Sequence, residues 1–268
     1  MFPSLSSRRL KWQSSIGLLL LSSAPLLAHA QEDLAAPAAR REVSASESAA
    51  AGSFSAWTLP ARSNTQRALA RVVTGYEGSS DKALFDTALE ARILDRLALR
   101  AGGSYLPTTD GFGLRFGGKL DALRQETSGI DLAIVGGYEG TGFNEVPAVG
   151  GQVALGRAVG RLMLLANVGY ARGLEEEEQY ASAGAAAHYR MSSDVILGLD
   201  SRFRIDIERD TDEPPGEREW DLLAGPQVTI AIGSVALSGG AGLSAHRLRL
   251  VPGTNVGALG QIGVGAAF

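Results

Sequence analysis

Ser244 and His246 stand two residues apart, which puts both side chains on one face of an extended segment, where a hydroxyl and an imidazole could share a proton. Hydrolysis would also need a third group to orient the imidazole, and the sequence places no Asn, Asp or Glu evidently for that task. The pair is therefore read as polar lining. With Cys 0 and three histidines, thiolate chemistry is absent and zinc ligands are few, so neither a metal site nor a cofactor is expected. His188 reads as a polar wall residue. The glycine-rich stretches 111–117 and 137–142 lie at strand ends with no helix to follow, so they are not phosphate-binding loops. Glu175 to Glu178 and the acidic stretch 206–219 lack the calcium-loop spacing with its glycine; they read as solvated rims whose field could draw cations or hold divalent ions.

Such residues need elements to position them. A chain of 268 residues with 45% hydrophobic and 20% charged residues is ordered, and a net charge of −4 argues against nucleic acid as a partner. Arg8, Arg9 and Lys11 precede an apolar core from Ile16 to Leu27 that ends Ala28-His29-Ala30, the order of a secretory signal peptide cleaved after Ala30. Residues 1–30 are thus a signal peptide. Residues 31–66, rich in Ala and Ser with Pro37 and Pro60, show no clean period and read as a weakly structured periplasmic N-terminal arm. No later stretch reaches the length of apolar residues that a membrane helix needs.

From 67 to 268 the pattern is different: segments of roughly ten residues alternate apolar and polar side chains between turn residues, the signature of a membrane β-barrel. Segment 83–93 sets Phe85, Thr87, Leu89, Ala91 and Ile93 against Asp86, Ala88, Glu90 and Arg92, because strand side chains alternate. One face is apolar and the other ionic. Twelve segments follow this rule, near 68–76, 83–93, 97–106, 112–123, 130–139, 147–157, 161–171, 179–190, 194–205, 220–232, 235–246 and 255–268. The fold class is all-β, a transmembrane antiparallel up-and-down barrel of twelve strands, with ten as the alternative because 68–76 and 179–190 alternate least. The connections are alternately tight and long, which puts tight turns in the periplasm and long loops outside. Leu132 is expected on the lipid face near mid-height, and Pro226 is expected to force a bulge or an irregular half in 220–232, since proline cannot donate to the ladder.

Aromatic residues support this topology. Tyr76, Tyr105, Tyr138, Tyr170 and Phe203 end strands that enter the longer connections, and Phe85, Phe112, Phe116, Tyr180 and Trp220 lie near the starts of strands that leave them. All would gather at one height as an aromatic girdle.

The chain ends in Gln261, Gly263, Ala266 and Phe268 at the polar, glycine, apolar and terminal aromatic places of a last-strand pattern, with Val256, Ala258, Ile262, Val264 and Ala266 in register. This resembles the assembly signal of Gram-negative outer-membrane β-barrel proteins, a porin-like superfamily. The resemblance implies an outer-membrane location, contact with lipid and lipopolysaccharide, and recognition by the barrel-assembly machinery. It identifies no subfamily. Ser244 and His246 invite comparison with outer-membrane phospholipases and lipid A deacylases, but the order is the reverse of theirs and both residues point inward.

The inward register carries Asp86, Glu90, Asp121, Asp131, Glu139, Asp200 and Asp221 against Arg92, Arg100, Arg115, Lys119, Arg202 and Arg204, a polar lumen near neutrality. Many other inward positions are Gly or Ala, so a twelve-strand wall should leave space inside. The function expected is a passive or weakly selective channel for small hydrophilic solutes, and not an enzyme. The alternative is a closed structural or surface-binding barrel, with ion pairs and the 31–66 arm filling the lumen; a lipid hydrolase is the minor alternative.

Overall fold

Period-two alternation with β-branched and aromatic residues on one register makes strands that must bury or pair every backbone group, and a closed sheet does this without an edge. The computed structural model describes residues 60–61, 68–106, 111–140, 146–174, 178–207 and 218–268. They form twelve strands: β1 Ala68–Glu77, β2 Lys82–Leu94, β3 Leu97–Leu106, β4 Gly111–Leu123, β5 Asp131–Glu139, β6 Ala148–Val159, β7 Leu162–Gly173, β8 Gln179–Arg190, β9 Val195–Asp206, β10 Arg218–Ile232, β11 Val235–Leu248 and β12 Asn255–Ala267. Each pairs antiparallel with its neighbours in sequence, and β1 closes the barrel on β12. At that seam the Ala68 and Phe268 amides donate to each other's carbonyls, at 3.2 and 2.9 Å.

The twelve-strand reading is correct, and the strand ends lie within two residues of those expected. The signal peptide, most of the 31–66 arm and the acidic stretches 175–177 and 208–217 lie outside the described residues.

Three local expectations change. First, Pro226 brings the expected irregular stretch but no bulge: β10 pairs continuously with β9 through Pro226↔Leu199, while its ladder to β11 omits Gly225 and Pro226 and resumes in the same register. The reason lies beside it. A Cβ on Gly225 would sit 2.2 Å from the Ala241 carbonyl oxygen and one on Gly242 would sit 2.2 Å from that of Ala224, so β10 and β11 approach too closely here for any side chain. The register shift of β10 falls instead between Arg218 and Trp220. Second, Leu132 is the second residue of β5, near the tight-turn end rather than at mid-height. Third, the connection after β4 carries one helical turn, α1 Gln125–Ser128, which the strand pattern does not announce.

That turn has a structural use. The Gln125 side chain donates to the Ala158 carbonyl at 2.6 Å and accepts from the Ala158 amide at 2.7 Å, while its own amide donates to Asp131 Oδ1 at 2.8 Å. The tight ends of β4, β5 and β6 are thereby tied together. Arg124 lies 3.1 Å from the Asp95 carboxylate in the neighbouring turn, and this hydrogen-bonded contact holds the Asp95 carboxyl below its usual range. The β10–β11 hairpin needs only Gly233 and Ser234, with Gly233 at a φ of 61 that the tight reversal requires.

The two registers differ in character. Val72, Leu89, Leu99, Phe116, Ile134, Val153, Val168, Leu199, Leu243 and Ile262 stand exposed around the outer wall, while Lys119, Asp121, Asp200, Asp221 and Ser244 are buried within it. A water-soluble protein inverts this arrangement. The outer belt suits lipid, and the barrel satisfies its backbone internally as a membrane requires.

Candidate functional site

The site is the charged interior. Asp86, Glu90 and Arg92 project inward from β2, Arg100 from β3, Arg115, Lys119 and Asp121 from β4, Asp131 from β5, Asp200, Arg202 and Arg204 from β9, and Asp221 from β10, each on the register opposite the exposed apolar residues of its strand. The structure gathers most of them into two clusters on different walls.

In the first cluster, spread over β1 to β4, Asp86 holds Arg71 at 3.6 Å and Arg115 at hydrogen-bond contact. Glu90 holds Arg100 and Lys119, each at 3.6 Å. In the second, on β9 and β10, Asp221 takes two hydrogen bonds from Arg204 Nε, at 3.0 and 3.2 Å, and one from its Nη2 at 2.5 Å. Arg218 lies 3.4 Å and Arg202 3.8 Å from the same carboxylate. Seven cations thus converge on three carboxylates. Strand register explains why: Glu90 faces Arg100 and Asp221 faces Arg204 as direct cross-strand partners, and long side chains at diagonal positions reach the same carboxylate.

Between the clusters lies a cavity of about 290 Å³. Arg71, Arg100 and Arg115 line one side and Arg202 and Arg204 another, with Glu90, Glu139, Gln152, Tyr180 and Ser182 between them. The Tyr180 hydroxyl donates to Glu139 at 3.2 Å. Tyr180 was expected among the girdle aromatics; it faces inward and is buried, because β8 starts one register step away from the neighbouring strand starts. Arg71, Arg218, Gln152 and Ser182 were not singled out in the sequence. Arg71, Gln152 and Ser182 occupy the inward register of their strands, so the alternation could have found them; Arg218 shares the parity of the outward Trp220 and Leu222, and only the register shift between Arg218 and Trp220 brings it to Asp221. Asp121, Asp131 and Arg92 lie nearer the tight-turn end, and Asp200 accepts from Gln227 at 3.2 Å while its charge also acts on Arg71 of the first cluster.

Pro60 also lines the cavity, and Ala61 is buried at 1% exposure. A Cβ on Gly156 would lie 3.2 Å from that of Ala61, among Leu165 and Asp131 on the inner wall. These two residues of the 31–66 segment therefore lie against the inner wall, Ala61 on the β5–β7 side. Nothing in their composition marks them, since Pro and Ala suit a linker equally well.

The girdle residues Tyr76, Tyr105, Tyr138, Tyr170, Phe203 and Trp220 all lie on the outer register toward the long-connection end. Phe85 and Phe112 sit 6.3 Å apart between ring centres, as do Phe203 and Trp220. Of the assembly-pattern residues on β12, Gln261 and Gly263 face inward and Ala266 outward, and Phe268 is 69% exposed beyond the strand's end.

Ser244 and His246 are inward but do not form the pair that their spacing suggested. Ser244 is fully buried and accepts from the Ser79 amide at 3.1 Å. His246 instead meets the Ser79 hydroxyl at 3.1 Å through Nδ1 and the Asn255 side-chain amide at 3.0 Å through Nε2. An orienting Asn is therefore present after all, supplied by the strand register across β11 and β12. The Ser79 hydroxyl also reaches Glu77 at 3.0 Å, so the network pins the 78–81 turn to β11 and β12 at the barrel mouth.

No family model matches the chain, and no curated protein matches it in sequence. In structure it is similar to the NanC porin, with a TM-score of 0.51 over 74% of this chain and 98% of that one, at 10% identity. Its fold is that of the outer-membrane porins. Looser likenesses are to OmpT of Vibrio cholerae lacking loop L8, with a TM-score of 0.42 at 8% identity over 75% of this chain and 97% of that one, and to the channel DcaP of Acinetobacter baumannii, at 0.38 and 8% over 70% and 63%. A porin fold wrapped in an apolar belt with one aromatic girdle is an outer-membrane barrel.

Proposed function

We propose that this porin-like barrel is a passive, weakly selective channel for small hydrophilic solutes. The observation that carries the reading is the cavity itself: a space of about 290 Å³ inside a lipid-facing wall, into which charged and hydrogen-bonding side chains project. Small inward residues such as Ala88, Gly102, Gly117, Gly137 and Gly150 line that space, and at the four glycines a Cβ would already press on the backbone of the adjacent strand. The Ser79–His246–Asn255 network is read as structural, since the Ser79 hydroxyl and amide are both committed to holding the turn.

A closed barrel is the second reading, and Ala61 is the observation that favours it. The mature chain inserted in planar bilayers should give discrete conductance steps, and removing residues 31–66 should enlarge them by about the factor expected from widening a narrow lumen, on the order of twofold. Silence from both proteins would mean that the barrel carries no flux.

Insertion itself supplies a further test. We propose that the assembly machinery reads Phe268, whose exposed ring stands at the end of the closing strand. Deleting Phe268 should reduce the membrane-inserted fraction several-fold while Phe268→Tyr retains it, measured by heat-modifiable migration of outer-membrane fractions. Equal insertion of the deletion variant would refute this role.

A further inference from the structure

We infer that the lumen prefers anions, and that the cavity between the two charge clusters is a transit site for small organic anions such as carboxylates, phosphates or sulfates. The inference deepens the channel reading and rests on it.

Overall, the inward face looks balanced, and its sequence suggests near-neutrality. The structure sorts those charges by height and by wall. Five arginines line the cavity against two carboxylates, Glu90 and Glu139, with Asp200 near enough to act on Arg71 and Glu77 on Arg202 from beyond the lining. Glu90 is already shared by Arg100 and Lys119, and Glu139 accepts from Tyr180. The remaining acids of the clusters are held by cations too, although Asp86 Oδ1 accepts no hydrogen bond. Asp86 sits between Arg71 and Arg115, and Asp221 is committed to Arg204 by three hydrogen bonds before Arg202 and Arg218 approach. Arg202 is the loosest of these cations: 3.8 Å separates it from Asp221, and its Nε is buried without a hydrogen-bond partner. A donor left in that state on a cavity wall can be satisfied by an oxygen that arrives with the solute.

The chemistry of the lining selects the class of solute. Guanidinium groups present a fixed fork of donors that matches carboxylate, phosphate and sulfate oxygens, and they keep their charge at any physiological pH. Arginines on opposed walls let an anion pass from one fork to the next without losing all its partners. The low-dielectric wall strengthens the attraction, while the flanking carboxylates keep the site from becoming a trap. Gln152 and Ser182, also on the lining, offer neutral donors to hydroxyls on the same solute.

The test is the reversal potential of the mature chain in planar bilayers under a potassium chloride gradient. Chloride should be favoured over potassium by about threefold to tenfold, the scale of a cleft lined by excess charge. Arg100→Gln and Arg202→Gln each leave a carboxylate partnered, by Lys119 on Glu90 and by Arg204 on Asp221, so the barrel should remain folded on heat-modifiable gels. Each should lower the ratio about twofold, and the double variant should approach unity. Glu139→Gln should act in the opposite sense and raise it. Added citrate should reduce the chloride current from the wild type and much less from the double variant. No conductance in any form overturns the channel reading beneath this inference. Open channels that favour potassium, or ratios that ignore all three substitutions, overturn the anion preference alone.

Discussion

Val168→Arg should lower the barrel's unfolding free energy by about 2–4 kcal/mol, the cost of a guanidinium at the mid-plane of a lipid-facing wall. Val168 lies at the middle of β7, is 60% exposed, and pairs across to Val153 and Ala183, so its neighbourhood offers lipid and aliphatic side chains. The strand runs on for five residues toward the long-connection end and six toward the other, a distance that a single arginine side chain cannot cover to reach water. Leu132→Arg is the matched comparison. As the second residue of β5 it lies at the membrane boundary, where the guanidinium can reach the headgroups, and its cost should fall to about 0–1 kcal/mol. Guanidinium chloride unfolding in lipid vesicles, with Val168→Ala as the control for lost packing, separates the two. Equal losses at both positions would mean that the wall does not face lipid at the depth its register implies.

The wall was legible in the sequence because it depends on a local rule. Alternation places each side chain in or out whatever its neighbours do, so all twelve strands could be found within two residues of their ends, including 179–190, whose run of small residues gives little contrast. Height is less legible. The pattern says that Leu132 faces lipid but not how far along β5 the membrane boundary falls, which depends on the stagger of every neighbouring strand. The lumen is less legible again. Which carboxylate serves which arginine is decided by diagonal reach across two or three strands, and that is why Asp86, Glu90 and Asp221 collect seven cations although the counts of inward acids and bases look even. Tyr180 shows the same limit: its place in the sequence puts it at the girdle's height, and its register puts it inside on Glu139. The Gly225–Gly242 approach is a third case, because nothing in either glycine alone says that two backbones nearly touch there and absorb the effect of Pro226.

Asp221→Ala should be the most damaging single change within the lumen, at about 3–5 kcal/mol, because it removes one partner of a buried ion cluster and leaves the charges that it held. Asp221 is 1% exposed, and Arg204, Arg202 and Arg218 all point at it, so the variant leaves three guanidinium groups facing each other on one wall. Arg204→Gln should cost less, since Arg218 and Arg202 remain to compensate the carboxylate. The two changes should not add. Once Arg204 is neutral, losing Asp221 exposes one fewer buried cation, so the double variant should be more stable than the sum of the single losses by about 0.5–3 kcal/mol, the range measured for residues in one ion network. Unfolding of the four proteins in the same vesicles completes the cycle. Strict additivity would show that the Arg204 and Asp221 charges are each satisfied by solvent in the lumen, and the second cluster would then be a wet lining and not a bonded one. A coupling of the expected size makes Asp221 the anchor that holds Arg202 and Arg204 at the cavity wall, the place from which they can meet a solute.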